Sequence, residues 1–138
     1  MDAEERAALL GDTNLFRSLD RESLRNLGER ATDRKFEAGS ALYQWGDSAN
    51  ELFVVAKGHV ALADRAEVVV ANPGPKEFFG EAALYDEGPR MVSARAAQDA
   101  EVVLVRAEHF KEVVRRNPDV AEALLKHMAG VIRRSTER

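Results

Sequence analysis

One stretch of the chain gathers residue types that can do chemistry together: Glu77-Phe78-Phe79-Gly80-Glu81-Ala82-Ala83-Leu84-Tyr85-Asp86-Glu87-Gly88-Pro89-Arg90-Met91-Val92-Ser93-Ala94. Gly80 to Leu84 reads as a single helical turn built from small residues. The start of such a turn exposes unpaired backbone N–H groups and carries partial positive charge. Gly80 has no side chain, so a ligand can approach its backbone closely, and Ala82 and Ala83 leave similar room. Arg90, placed at the start of the following strand, offers a planar fork that suits a phosphate. Glu81 is the odd member. A carboxylate beside an anion is repelled, so Glu81 needs a donor to accept from, and a sugar hydroxyl supplies one. A ligand carrying both a phosphate and a ribose hydroxyl satisfies all three elements. The plainer readings are a surface arginine, a turn glycine and a carboxylate that merely favours a helix start.

The elements that must position these residues fall into three parts. Residues 1–35 read as helices. Asp2 to Leu10 is rich in Ala, Glu and Leu, Gly11-Asp12 breaks it, and Asp20 caps a second helix with Leu24 and Leu27 on one face. Residues 36–106 change rhythm, with short apolar runs at Ala41–Tyr43, Leu52–Val55, Val60–Leu62, Val68–Val70, Val92–Ala94 and Val102–Val105, separated by Gly, Pro, Asn and Asp turns. Residues 107–138 return to helix, first Ala107 to Arg116, then a longer helix from Asn117-Pro118 onward with Val120, Leu124, Leu125, Met128, Val131 and Ile132 at three- and four-residue steps. The pattern predicts an α+β fold: a small antiparallel β-barrel of jelly-roll (double-stranded β-helix) type, with N-terminal helices and two C-terminal helices, as one domain over residues 1–138. The apolar stripe of the last helix suits either docking on the barrel or pairing with a second copy.

Composition removes several function classes. The chain has 138 residues and no cysteine, so disulfides, thiolate metal sites and cysteine nucleophiles are excluded. His59, His109 and His127 are scattered, which argues against a metal site and a cupin-type metalloenzyme, and all three read as ordinary histidines. The net charge is -4, opposite to the basic surplus of a nucleic-acid binder. The balance shifts along the chain, from nine acids and four bases over residues 36–90 to seven acids and nine bases over residues 91–138. No run approaches the roughly 20 apolar residues of a membrane span, and the acidic N-terminus is unlike a signal peptide, so a cytoplasmic protein is expected.

The segment Phe79-Gly80-Glu81-Ala82-Ala83-Leu84 followed by Pro89-Arg90 resembles the phosphate-binding cassette of the cyclic nucleotide-binding domain family. Phe36-Glu37-Ala38-Gly39, Gly46-Asp47, Leu52–Val55 and Lys57-Gly58-His59-Val60 fall where that family has its apolar and glycine positions. The resemblance runs from about Leu15 to Arg134. It implies that Glu81 accepts from the ribose 2′-hydroxyl and that Arg90 pairs with the cyclic phosphate. It also implies that backbone N–H groups near Gly80, Ala82, Ala83 and Met91 complete the cradle. The last helix, through Ile132, Arg133 or Arg134, then closes over the base. Met91 stands where many members have Ala, Ser or Thr. The missing hydroxyl favours cAMP over cGMP. Lys76 stands where a turn glycine is common, and the region between Gly58 and Phe79 is short.

The function implied is a non-enzymatic cyclic nucleotide sensor, with no catalytic residue, metal or cofactor, that signals through its C-terminal helix to a protein effector. A homodimer through that helix is the companion expectation. The alternative is a nucleotide-independent interaction domain with a degenerate or repurposed pocket. A transcription factor of the catabolite activator type needs a helix-turn-helix after the long helix. The chain as it stands has none, so direct DNA binding by that route is not expected.

Overall fold

The alternation of side chains along two central strands organises the molecule, described here from a computed structural model covering residues 1–137. Arg138, the last residue of the C-terminal part, lies outside the described residues. Strand β3 (Glu51–Lys57) sends Leu52 and Val54 to one side and Phe53 and Val55 to the other, and all four are buried. Strand β8 (Ala100–Arg106) does the same with Val103 and Val105 against Val102 and Leu104. Burial on both faces explains why these two segments read as continuous apolar runs rather than as alternating ones. Each strand therefore serves two cores.

β3 and β8 pair antiparallel at the centre of one sheet, flanked by β1 (Thr32–Phe36) and β6 (Phe78–Phe79) in the order β1-β8-β3-β6. The second sheet has the order β2-β7-β4-β5, from β2 (Ala41–Tyr43), β7 (Ser93–Ala96), β4 (Val60–Ala63) and β5 (Val69–Ala71). Phe36, Tyr43, Phe53, Val55, Val60, Phe79 and Ala94 fill the space between the sheets, which gives the jelly-roll barrel expected from the sequence.

The other face of the first sheet is covered by helices. Helix α1 (Ala3–Gly11) starts with a capping box between Asp2 and Glu5, and α2 (Arg21–Arg30) is capped by Asp20, whose side chain accepts from Ser23 N at 2.7 Å. The two helices approach closely at Gly28, where a Cβ would lie 2.6 Å from the Ala3 carbonyl oxygen. Helices α4 (Ala107–Arg116) and α5 (Pro118–Glu137) complete this layer with Phe110, Val120 and Leu124. No described helix is long and apolar enough to cross a membrane.

Three strands depart from the sequence reading. Residues 32–35, read as the end of the helical part, belong to β1. This edge strand pairs only with β8, and only Phe36 of it is buried, so it shows no apolar rhythm. Its Asp33 is held by the Met1 ammonium at 3.3 Å and Arg6 at 3.1 Å. β6 is two residues long and hides inside the cassette sequence. β7 begins at Ser93, so Arg90 lies in the loop before the strand rather than at its start.

Candidate functional site

β6 divides the cassette between the two cores. Phe78 joins the helix-side core, and Phe79 joins the barrel core, stacked on Phe53 with ring centroids 5.2 Å apart. Gly80 follows at φ +86°, a conformation that an L side chain rarely adopts. A Cβ there would also lie 2.8 Å from Nη1 of Arg90. Helix α3 (Ala82–Asp86) then begins at Glu81. Glu81 makes no capping hydrogen bond, so its carboxylate leaves the first-turn N–H groups, including those of Ala82 and Ala83, without a side-chain cap. Glu81 thus stands at the start of α3 without acting as its side-chain cap.

The Glu81 carboxylate turns instead to α5. His127 Nε2 lies 3.0 Å from Glu81 Oε1, and the His127 ring packs on Phe78 with centroids 4.3 Å apart. Glu81 is buried at 8% exposure. The sequence reading passed over His127 as ordinary. The signal that could have found it is its helical spacing from Val120 and Leu124, which puts it one turn on along the docked face.

Arg90 is fixed by its backbone and by its head. Its N–H donates to Asp47 O and its carbonyl accepts from Gly46 N, both at 2.8 Å, which ties the loop to the Gly46-Asp47 turn. The guanidinium passes into the barrel, where only 3% of the residue is exposed. Nη1 donates to Gly80 O and Nη2 to Glu51 O, each at 2.7 Å. The guanidinium carbon sits 4.2 Å from the centroid of the Tyr43 ring. Nε is buried with no hydrogen-bond partner among the described residues, and no carboxylate there pairs with the head. Burial pushes this guanidinium below its ordinary pKa, against the pull of Tyr43, Glu51, Glu81 and Asp47 around it. Tyr43 responds in the opposite sense. Its burial raises the phenol to about 12, although the Arg90 charge pulls it down.

The remaining expected residues separate. Met91 is 65% exposed. Ser93 is occupied elsewhere, its hydroxyl accepting from Trp45 N at 2.9 Å. Ile132, Arg133 and Arg134 are exposed, and the α5 residue that reaches the cassette is His127.

Comparison with known proteins bears directly on this geometry. The family model described as the cyclic nucleotide-binding domain matches residues 33–117, which span both sheets and the cassette. The chain belongs to the cyclic nucleotide-binding domain family. The Cyclic AMP receptor protein of Thermus thermophilus is 36% identical over 104 residues, covering 72% of this chain and 48% of that protein. The crystal structure of the Thermus thermophilus Catabolite Activator Protein superposes with a TM-score of 0.79 at 31% identity, over 90% of this chain and 60% of that one. The regulatory domain of Toxoplasma gondii PKA, co-crystallised with cAMP, gives a TM-score of 0.73 at 27% identity, over 80% of this chain and 44% of that one. The chain spans about half the length of the curated relatives it matches. Cyclic nucleotide-binding domains of this regulatory type, and the jelly-roll fold with its helical cover, are thus what the chain shares with them.

Proposed function

We propose that this cyclic nucleotide-binding domain is a non-catalytic sensor of cAMP. Arg90 takes the cyclic phosphate, Glu81 accepts from the ribose 2′-hydroxyl, and the N–H groups of Gly80, Ala82, Ala83 and Met91 complete the cradle. The observation that carries this reading is the state of Arg90. A buried cation without an acid partner is costly, and removing charge from water without compensation disfavours the fold by several kcal/mol. The free Nε–H and the absent carboxylate leave both a donor and a charge for an anion to satisfy.

The Glu81–His127 contact supports an output through α5. A ribose hydroxyl that engages Glu81 competes with His127, and so with the bond that ties α5 to the cassette. Ligand then shifts α5 by its different affinity for the tied and untied states. Leu125 and Ile132 leave 68% and 65% of their surface in water, and a protein effector or a second copy of the chain is the partner such a helix face accommodates.

Calorimetric titration of nucleotide-stripped protein tests the reading. cAMP is expected to bind in the micromolar range and more tightly than cGMP. Absence of heat with both nucleotides up to millimolar concentration refutes it, and tighter binding of cGMP refutes the choice of cAMP.

A further inference from the structure

The buried Arg90 has a counterpart that the cassette itself does not supply. Every direct polar contact of its guanidinium is a carbonyl oxygen, Gly80 O and Glu51 O, and neither carries a full charge. Two aromatic rings also lie against the guanidinium. Tyr43, only 8% exposed, presents its ring face at 4.2 Å, and Phe53 lies further off at 5.7 Å. The two rings pack against each other at 5.5 Å between centroids, and Phe79 closes the group at 5.2 Å from Phe53 and 6.3 Å from Tyr43. Three rings locked in this way leave the Tyr43 face no freedom to turn aside.

We propose that Tyr43 is the positioning residue for Arg90, its ring face holding the guanidinium in place of a carboxylate so that the positive charge stays available to an anionic ligand. The inference rests on the reading that Arg90 meets the ligand's phosphate. A carboxylate at this position would hold the head as firmly, but it would cancel the charge and would have to be displaced by an incoming phosphate. An aromatic quadrupole attracts the cation, most strongly when both are out of water, without doing either. The two carbonyls fix the plane of the head, the ring fixes its depth in the barrel, and Nε is left as the unsatisfied donor. The phenol is neutral near pH 7 at its ordinary value of 10.0, and burial raises it further, so Tyr43 adds no competing negative charge. The sequence offered no hint, since Ala41-Leu42-Tyr43 reads as one more short strand.

The test grades the ring's attraction for a cation without changing its shape. Tyr43→Phe and then mono-, di- and trifluorinated phenylalanine at position 43 are titrated with cAMP, with thermal melting to confirm that each variant is folded. Tyr43→Phe is expected to bind within about twofold of the parent, because the ring face persists. Each added fluorine is expected to weaken binding by about two- to threefold, giving roughly a tenfold loss or more across the series. Tyr43→Leu, which keeps an apolar filler but no ring, is expected to fall at or below the trifluorinated variant. Equal affinities across the fluorine series overturn the proposal, even if Tyr43→Leu binds poorly, because loss of packing alone explains the latter. Failure of the parent protein to bind either cyclic nucleotide overturns the phosphate reading, and this inference with it.

Discussion

Arg90 and Glu81 stand in one short cassette but belong to different halves of the molecule. Arg90 enters the barrel between the two sheets, where aromatic rings and carbonyls surround it. Glu81 faces the helical layer, where His127 of α5 holds it. β6 makes the division, because consecutive residues of a strand point to opposite sides, and Phe78 and Phe79 commit the chain to one core each. The difference separates two tasks. The barrel end packs Arg90 among buried rings and two carbonyls, which on the proposed reading is where a fixed charge is recognised. The helix end ties the cassette to α5 through Glu81 and His127, which on the proposed reading is the route of output.

Replacing Arg90 tests the barrel end and has the largest expected effect. Arg90→Met keeps the length of the side chain but removes the charge. It is expected to weaken cAMP binding at least about a hundredfold, on the scale of losing a charge-assisted phosphate contact. The same change removes a buried cation but also orphans the Gly80 and Glu51 carbonyls, so stability to denaturant is expected to change far less than affinity. Lower stability together with unchanged affinity would break the assignment of Arg90 as a functional residue.

Titrating the barrel end at high pH gives a middle-sized effect. The Tyr43 phenol is raised to about 12, against an ordinary value of 10.0. Between those values the unfolded chain has lost the proton and the folded chain keeps it. The contribution is therefore fully present below about pH 10 and is lost as pH rises through about 12, for a change on the order of 2 kcal/mol. Denaturant melts of the parent are expected to lose this stability over that window, and melts of Tyr43→Phe to lose correspondingly less. Identical alkaline profiles would show that the phenol is not shielded.

The helix end has the smallest expected effect on affinity. His127→Ala removes the competitor for Glu81, so cAMP is expected to bind a few-fold tighter, as befits one exchanged hydrogen bond. The gain is expected to vanish with 2′-deoxy-cAMP, which lacks the competing hydroxyl. Equal gains with both nucleotides would mean that His127 acts on α5 packing and not through Glu81.

The sequence carried the barrel end better than the helix end. The central strands and the cap at Asp20 were legible, because each is fixed by local chemistry or by a run of neighbours; the capping box at Asp2 was not read. β1 was not, because an edge strand needs only one apolar residue. The partners of Arg90 and Glu81 were not legible either. Tyr43 lies 47 positions before Arg90 and His127 lies 46 positions after Glu81 in the chain. No local pattern links them, and only the fold brings them together. Lys76 illustrates a different limit. It occupies φ +72°, the turn conformation that glycine favours, so the turn is kept despite the substitution noted in the sequence.

The most direct measurement of the central claim observes the Arg90 Nε–H itself. In a nitrogen-15 spectrum of nucleotide-free protein, assigned by its loss in Arg90→Met, this resonance is expected to move strongly on addition of cAMP as the orphaned donor gains a phosphate oxygen. Saturating cAMP that binds by calorimetry yet leaves the Arg90 Nε–H unmoved would contradict the account.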